Sequence, residues 1–167
     1  MKKNIHLKLD KFDIVIIDFD GVLTDNKVSL SENGNETVVC NRSDGLGINI
    51  LKKLKKKIYI FSSEKNKVVK LRANKFKIPC ITGVSNKKKS LISFFYKNKF
   101  DFNKTLYIGN DINDYHAMKL CKYKSCPKDS HKLILNISNY ISNKNGGEGI
   151  LIDIIENYLK IALVKYC

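Results

Sequence analysis

Residues 14–25, with the sequence IVIIDFDGVLTD, decide the fold of this chain. The first four residues are β-branched and apolar, which predicts a strand buried on both faces. Two carboxylates, Asp18 and Asp20, follow it, and then Gly21. Side chains two residues apart in a strand point to the same side, so we expect both carboxylates to converge just past the strand end. Burying two like charges costs free energy without a cation, so the pattern indicates a metal and an anionic ligand.

Length and composition indicate one globular domain, residues 1–167. No apolar run reaches the roughly 18 residues of a membrane span. The apolar run after the basic N-terminus is too short for a signal peptide, so we expect mature sequence and a cytoplasmic location. The cysteines are odd in number and lack the spacing of a zinc pair, so we expect free thiols at Cys40, Cys80, Cys121, Cys126 and Cys167.

The chain is strongly basic, with 31 Lys and Arg against 16 Asp and Glu and a formal net charge of +15. Such a balance permits nucleic-acid binding. However, Arg, the better bidentate reader of phosphate and bases, occurs only at Arg42 and Arg72. We therefore expect a small-molecule partner, and nucleic-acid binding is the less favoured interpretation of the charge.

Strands and helices alternate along the chain, which predicts an α/β fold with a doubly wound parallel sheet. Around Asn33-Gly34, the β-favouring runs 27–30 and 36–40 predict a hairpin that could act as a flap over the carboxylates. No insertion is large enough for a separate cap domain. Further strands are predicted at 58–61, 80–81, 105–108 and 123–126, and helices from the Ser43-Asp44 cap to about 54, from Glu64 to 76, at 86–98, around 117–120, from 130, and at 150–164.

Polar residues follow three of the strands, at Asp18, Ser62 and Asn110. Ligands of parallel sheets bind at the carboxyl ends of the strands, so these groups share one rim. Ser62 precedes the predicted helix start and could bind an anion there. Lys87, at the start of another helix, is our candidate for neutralising phosphoryl oxygens.

The chemistry these residues permit is phosphoryl transfer. Asp18 could attack phosphorus to form an aspartyl-phosphate. Asp20 could protonate the leaving oxygen and then activate water. Mg²⁺ suits the hard oxygen ligands, and Gly21 and Thr24 fit a tight turn around phosphate.

The series DFDGVLTD, Ser62, Lys87 and GNDIND resembles the four motifs of the haloacid dehalogenase superfamily. Within it, residues 12–159 resemble the small capless branch. That branch contains 3-deoxy-D-manno-octulosonate 8-phosphate (KDO 8-phosphate) phosphatases, sialic-acid-type nonulosonate 9-phosphate phosphatases and the C-terminal domain of some acylneuraminate cytidylyltransferases. The resemblance implies a homotetramer in which the hairpin and the C-terminal tail of neighbours complete each site.

The resemblance also implies residue roles. Asp18 matches the nucleophile, and Asp20 matches the acid/base whose backbone carbonyl also binds Mg²⁺. Ser62 and Lys87 match the phosphate-binding positions. Substrate-recognition groups of the nine-carbon phosphatases correspond to Glu64, Arg72 and Lys75. Where octulosonate enzymes more usually have Gly-Arg and GGRG, this chain has Ser63-Glu64 and GGEG, which favours a nine-carbon substrate.

One departure concerns the metal. The family usually places a carboxylate where this chain has Asn110, followed by Asp111. An amide oxygen can ligate Mg²⁺ but brings no charge, so Asp111 and Asp114 are candidates to compensate. Two alternatives to a sugar-acid phosphatase therefore stay open: a catalytically weak oligomerisation partner of a cytidylyltransferase, and, from the net charge, a nucleic-acid phosphatase.

Overall fold

The computed structural model describes residues 6–166, so the free thiol expected at Cys167 lies outside the described residues. Eight strands are present in this part of the chain. They are β1 (Ile14–Ile17), β2 (Ser29–Leu30), β3 (Glu36–Thr37), β4 (Lys57–Phe61), β5 (Cys80–Ile81), β6 (Thr105–Ile108), β7 (Tyr123–Cys126) and β8 (Tyr140–Ile141). Six of them form one parallel sheet in the order β5-β4-β1-β6-β7-β8, while β2 and β3 pair separately.

Helices cover both faces of this sheet. They are α1 (Arg42–Lys53), α2 (Lys67–Phe76), α3 (Lys87–Asn98), α4 (Tyr115–Met118), α5 (Lys132–Ile137) and α6 (Ile150–Asp153), which continues as a π-helix at Ile154–Tyr158. Short 3₁₀ segments occupy Leu9–Lys11, Phe102–Lys104 and Leu163–Tyr166. The predicted α/β fold class is therefore confirmed.

Strand β1 lies at the centre because all four of its side chains are apolar and buried. Successive side chains of a strand point to opposite faces. Val15 and Ile17 accordingly belong to the core under α1, α2 and α6, whereas Ile14 and Ile16 belong to the core under α3, α4 and α5. One short segment thus anchors both hydrophobic layers.

The direction in which successive strands are added to the sheet reverses beside β1. From β1 the sheet grows through β4 to β5 on one side, and then through β6, β7 and β8 on the other. Ile17 is in register with Ile60 of β4 and Ile108 of β6. The loops after β1 and β6 therefore diverge at a topological switch point, where a crevice forms.

The predicted hairpin is confirmed and shorter than expected. Ser29 pairs with Thr37 and Leu30 with Glu36, and an isolated bridge between Thr24 and Cys40 closes its base. Cys40, Cys80 and Cys121 are free thiols, as expected, and Cys126 is buried in the core. No helix within residues 6–166 has the length and apolar character that crossing a membrane would require.

Several helix starts differ from the prediction: α5 begins at Lys132 and not at Ser130, and the starts of α1 and α2 also differ. Helix α1 is capped by Asn41, whose side chain accepts a hydrogen bond from the backbone N–H of Ser43. Glu64 does not open α2, which begins at Lys67 after an Asn66 cap position. In both cases an asparagine nearer the true start takes the cap position.

The C-terminal region also differs from the prediction. The sequence pattern missed β8, a two-residue strand at the sheet edge that is too short to leave a periodic signal. The last helix does not continue to residue 164. It widens into the π-helix and stops before Lys160, whose φ of 56° is incompatible with a right-handed helix.

Candidate active site

The loop after β1 is a tight turn around one carbonyl. The backbone N–H of Leu23 donates to Phe19 O at 2.9 Å. Gly21 has φ +76°, and a Cβ there would lie 1.9 Å from the Asn110 side-chain nitrogen. A residue without a Cβ is therefore required both for the turn and for the close approach of the loop after β6.

Thr24 shapes this loop and does not reach the cavity. It is fully buried, and its hydroxyl oxygen accepts hydrogen bonds from the backbone N–H groups of Gly21, at 3.1 Å, and Asn26, at 3.4 Å. The Thr24 hydroxyl is therefore directed into the loop, and its predicted contact with phosphate stays a prediction. Its sequence position indicated the tight turn correctly but not the direction of the hydroxyl.

Lys87 lies between two carboxylates at the centre of the crevice. Its Nζ is 2.7 Å from Asp18 Oδ1 and 2.7 Å from Asp114 Oδ1, and all three side chains are almost completely buried. Asp18 Oδ1 also accepts a hydrogen bond from the Phe19 N–H at 2.8 Å. Lys87 is the first residue of α3, so the helix start fixes its direction. The structure thus brings Lys87 to the rim that carries Asp18, and its role in neutralising phosphoryl oxygens stays a prediction.

The charges of this cluster do not balance. With both carboxylates ionised, Asp18 and Asp114 exceed the single Lys87 ammonium by one negative charge, and Asp20 brings no cation. Burial and the Asp114 carboxylate raise the pKa of Asp18 well above its ordinary value, despite Lys87. Burial alone would lower the pKa of Lys87, but Asp18 and Asp114 raise it. The Lys87 ammonium thus stays charged, and one further cation would balance the negative charge of the site.

Asp20 faces the same cavity in a less enclosed position. Burial raises its pKa, and the Glu64 carboxylate adds to the rise. A carboxyl group that holds its proton more strongly is suited to donate that proton to a leaving oxygen. The cavity has a volume of about 160 Å³ and is lined by Asp18, Asp20, Asn26, Ser63, Glu64, Lys87, Asn110, Asp111 and Asn113.

Ser62 has a different setting from the one predicted. It is fully buried, its N–H donates to Ile81 O, and its hydroxyl oxygen accepts a hydrogen bond from the Glu64 N–H at 3.1 Å. Since α2 begins five residues later, no helix N-terminus lies at Ser62. The adjacent Ser63 lines the cavity instead.

Arg72 and Lys75 lie outside this cavity. The Arg72 guanidinium donates to Asn41 O at 2.7 Å and stacks on the Phe76 ring, 4.4 Å from its centroid. Both basic residues line a separate cavity of about 430 Å³, together with Arg42 and Phe76. The structure therefore does not bring them to the Asp18 site of their own chain, because that face of α2 points toward α1.

The loop after β6 presents an unpaired oxygen. Asn110 is buried, and its Oδ1 has no hydrogen-bond partner within residues 6–166. Asp111 is exposed, and its Oδ1 already accepts from the Ile112 N–H at 2.6 Å. Asp114 cannot compensate as a metal ligand, because its oxygens bind Lys87 and the backbone of this loop.

These groups fit a hard divalent cation. The described residues contain no cluster of three or more His, Cys, Asp or Glu side chains that could hold a metal. A site would therefore combine the Asp18 and Asp20 region with the orphaned amide oxygen of Asn110, and Asp111 lines the same cavity. Oxygen donors of this kind are the ones Mg²⁺ prefers.

A C-terminal loop braces the Asp18 loop. The Gly147 N–H donates to Val22 O at 3.0 Å, and a Cβ on Gly146 would lie 2.2 Å from Gly21 O. The first two glycines of the NGGEG sequence at 145–149 thus have a physical reason: their backbone lies in direct contact with that of the Asp18 loop.

Sequence reasoning missed Tyr107. It is fully buried in β6, and its hydroxyl donates to Asp114 Oδ1 at 2.8 Å. The available signal was a hydroxyl group within an otherwise apolar central strand, since a buried Tyr usually needs a hydrogen-bond partner.

Comparisons with known proteins agree with this geometry. No protein-family model matches the chain. The crystal structure of a HAD (haloacid dehalogenase) family hydrolase from Streptomyces avermitilis superposes with a TM-score of 0.91 at 31% identity, covering 96% of this chain and 92% of that one. KDO 8-phosphate phosphatase from Moraxella catarrhalis, solved with magnesium, phosphate and KDO, gives a TM-score of 0.84 at 27% identity, covering 89% and 86%.

Sequence relatives point the same way. The KDO 8-phosphate phosphatase of Escherichia coli K12 is 26% identical over 150 residues, covering 89% of this chain and 80% of the relative. N-acylneuraminate cytidylyltransferase A of Danio rerio is 26% identical over 149 residues, which is 87% of this chain but 34% of that protein.

The chain therefore belongs to the haloacid dehalogenase superfamily, as its motifs indicated. The KDO 8-phosphate phosphatases that it matches over about four fifths of their own length are phosphoric monoester hydrolases.

Proposed function

We propose that this chain is a Mg²⁺-dependent phosphatase that removes the terminal phosphate of a 2-keto-3-deoxy sugar acid through an aspartyl-phosphate on Asp18. The observation that carries the proposal is the 2.7 Å contact between Lys87 Nζ and Asp18 Oδ1 at the floor of a small polar cavity. A buried carboxylate held by an ammonium group, beside a second carboxyl group with a raised pKa, is suited to phosphoryl transfer.

The chain's own residues supply two chemical steps. An oxygen of Asp18 forms a bond to phosphorus while the bond from phosphorus to the sugar oxygen breaks, and Asp20 gives its proton to that leaving oxygen. Asp20, now a carboxylate, then takes a proton from water, whose oxygen attacks the same phosphorus and frees Asp18. Lys87 neutralises charge on the phosphoryl oxygens during both steps.

The metal would be held by Asp18, Asn110 Oδ1 and the backbone carbonyl of Asp20, with Asp111 as a further candidate. It would supply the positive charge that the residues of the cavity lack. The amide of Asn110 keeps an oxygen ligand at this position but removes a charge, so we expect weaker Mg²⁺ binding than a carboxylate would give.

The substrate class is supported by a second cavity of about 170 Å³ that adjoins the first. It shares Asp20, Asn26 and Glu64 with the first, and Glu36 and Asn66 also line it. Amide and carboxylate side chains pair well with hydroxyl groups. No Lys or Arg of the described chain lines this second cavity. It therefore suits the neutral, hydroxylated carbons next to the phosphate of a sugar acid, with the phosphate itself in the first cavity. It does not distinguish eight-carbon from nine-carbon acids.

We also propose a homotetramer. The hairpin exposes apolar side chains, with 55% of Val28, 69% of Leu30 and 72% of Val39 accessible. Covering them against another copy would remove this apolar surface from water. Arg72 and Lys75, which lie away from their own Asp18 site, would then be available to a neighbouring site for the substrate carboxylate. Light scattering on the purified chain measures the mass.

A substrate panel tests the proposed function. Phosphate release is measured with Mg²⁺ from nonulosonate 9-phosphate and octulosonate 8-phosphate, with Asp18→Asn as the background control. We expect turnover of at least one sugar acid by the wild type and none by the variant. If neither compound is turned over, and Asp18→Asn behaves as the wild type does, the proposal fails.

A second candidate is a catalytically weak assembly partner of an acylneuraminate cytidylyltransferase. It is favoured by Asn110 and by the match to the cytidylyltransferase. The variant Asn110→Asp discriminates between the two, since it restores the missing charge. A rise from near-zero activity, with tighter Mg²⁺ binding by calorimetry, supports the weak partner, whereas robust wild-type turnover excludes it.

A further inference from the structure

The Asp114 carboxylate accepts hydrogen bonds from four donors. Its Oδ1 is 2.7 Å from Lys87 Nζ and 2.8 Å from the Tyr107 hydroxyl. Its Oδ2 accepts the N–H groups of Asn110 at 3.1 Å and Asp111 at 3.5 Å. One carboxylate therefore links the ammonium of the site, the loop after β6 and the centre of the sheet.

Tyr107 cannot touch a substrate. Its side chain is fully buried in β6, between β1 and β7, and only its hydroxyl reaches the cluster. Burial, together with the nearby Asp114 carboxylate, raises its pKa well above the ordinary value, so the phenol keeps its proton and remains a hydrogen-bond donor. Any effect of Tyr107 on the reaction must therefore pass through Asp114.

The position of Lys87 depends on a balance between two carboxylates. Its Nζ lies at the same distance, 2.7 Å, from Asp18 and from Asp114. The Tyr107 hydroxyl occupies the same Asp114 oxygen that Lys87 uses, and a carboxylate oxygen that already accepts one hydrogen bond attracts a second donor less strongly. Without the hydroxyl, Asp114 Oδ1 would have only Lys87 and would draw the ammonium away from Asp18.

We propose that Tyr107 is a positioning residue for phosphoryl transfer. By donating to Asp114 Oδ1, its hydroxyl keeps the Lys87 ammonium against Asp18, where the phosphoryl charge develops. This inference rests on the proposed phosphatase function and assigns no direct contact with substrate.

The variant Tyr107→Phe tests it, because only the hydroxyl is removed and the ring still fills its place. We expect kcat for phosphomonoester hydrolysis to fall about tenfold with KM changed less than about twofold, since the lost alignment matters most in the transition state. Vanadate, which mimics the five-coordinate transition state, should bind about tenfold more weakly, while the affinity for inorganic phosphate changes less than about twofold.

Tyr140→Phe is a matched control. The Tyr140 hydroxyl donates to Asp153 Oδ2 at 2.7 Å, and this buried pair contacts neither Asp18 nor Lys87. Both variants should lose a similar amount of unfolding free energy in urea, since each loses one buried hydrogen bond. The control should keep wild-type kcat, KM and vanadate affinity.

The outcomes separate the two proposals. If the wild type hydrolyses the substrate and Tyr107→Phe retains its kcat and vanadate affinity, the inference about Tyr107 is wrong and the proposed function stands. An equal loss of kcat in the Tyr140→Phe control would also overturn it, since the effect would then be one of general stability. If the wild type neither turns over phosphomonoesters nor binds phosphate, the proposed function fails and the inference fails with it.

Discussion

Two buried tyrosine–aspartate pairs in this protein have nearly the same hydrogen bond and different roles. Tyr107 donates to Asp114 at 2.8 Å under the candidate active site, and Tyr140 donates to Asp153 at 2.7 Å between β8 and α6. The Asp153 carboxylate also accepts the Ser142 hydroxyl at 2.7 Å and the Asn157 side-chain N–H at 3.0 Å. All of its donors are neutral.

The difference lies in what surrounds each carboxylate. Burial tends to raise the pKa of Asp153, but the hydrogen bonds from Ser142, Tyr140, Asn157 and the backbone of Asn143 together lower it, so this carboxylate is stabilised in its ionised form. Asp114 instead shares one cation with Asp18, whose pKa is raised. The Asp153 cluster is complete, whereas the Asp114 cluster lacks one positive charge. This unmet charge marks the functional site.

The largest expected effect is the loss of activity in Asp18→Asn, which is compared with the same replacement at Asp153. Asp18→Asn should lower kcat by at least about 10³-fold, because the amide cannot attack phosphorus, while unfolding free energy changes by less than about 1 kcal/mol. Asp153→Asn should keep kcat within about threefold but lose roughly 1.5–3 kcal/mol, since charged hydrogen bonds to neutral donors are weakened. Initial rates and urea unfolding measure both. If Asp18→Asn and Asp153→Asn lost the same unfolding free energy, the proposed difference between the Asp114 and Asp153 clusters would be wrong.

Removing the shared cation should affect both stability and activity. Lys87→Met leaves Asp18 and Asp114 buried without a cation, so we expect roughly 3–5 kcal/mol of lost stability and no measurable turnover. Lys56→Met is the control, because the Lys56 ammonium donates to the carbonyls of Leu9 and Phe12, both at 2.6 Å, and forms no ion pair with a carboxylate within residues 6–166. The Lys56→Met variant should lose less unfolding free energy than Lys87→Met and keep the wild-type kcat. A Lys87→Met variant as stable as the control would contradict the interpretation.

A third carboxylate, Asp44, makes the comparison depend on pH. Its Oδ1 accepts the Leu151 N–H at 3.0 Å, its Oδ2 is buried without a hydrogen-bond partner among the described residues, and burial raises its pKa from 3.8 to about 6. The folded state therefore binds the proton more tightly. The stabilisation is complete below about pH 4 and is lost as pH rises through about 6.

The variant Asp44→Asn tests this dependence. Its amide oxygen can still accept from Leu151 but does not titrate. Relative to the wild type, the variant should gain on the order of 3 kcal/mol of unfolding free energy between pH 4 and pH 7. Urea unfolding of both proteins at pH 4 and pH 7 measures this change. The contributions of the other titrating groups are the same in both proteins and cancel when the two are subtracted. Parallel pH profiles for the two proteins would mean that Asp44 is not the group responsible.

The smallest expected effect concerns the brace on the Asp18 loop. Gly146→Ala should cost roughly 1–3 kcal/mol and reduce kcat, because a Cβ 2.2 Å from Gly21 O must push the loop aside. Gly34→Ala in the hairpin turn is the control: Gly34 also has an unusual backbone (φ +76°), but a Cβ there would meet no described atom within 4 Å. It should lose only about 1 kcal/mol and keep kcat. A Gly146→Ala variant with wild-type kcat would argue against the brace.

Much of the fold could be predicted because its signals are local. An apolar run followed at once by Asp18 identifies a buried central strand, and the Asn33-Gly34 turn identifies the hairpin. The errors arose where local signals compete or are absent. Ser43-Asp44 was predicted to cap α1, but Asn41, directly before the first helical residue, is the actual N-cap. Strand β8 has only two residues, and its existence depends on pairing with β7.

The sequence by itself determined the central strand, the order of the motif residues and their assignment to one rim, since strand direction and connection order place the loops after β1 and β6 side by side. Only the tertiary structure decided how these side chains meet. It set Lys87 between Asp18 and Asp114, turned Thr24 inward, left Asn110 Oδ1 unpaired and directed Arg72 away from the cavity. These outcomes depend on helix phase and on contacts between residues far apart in the chain, which no local pattern encodes.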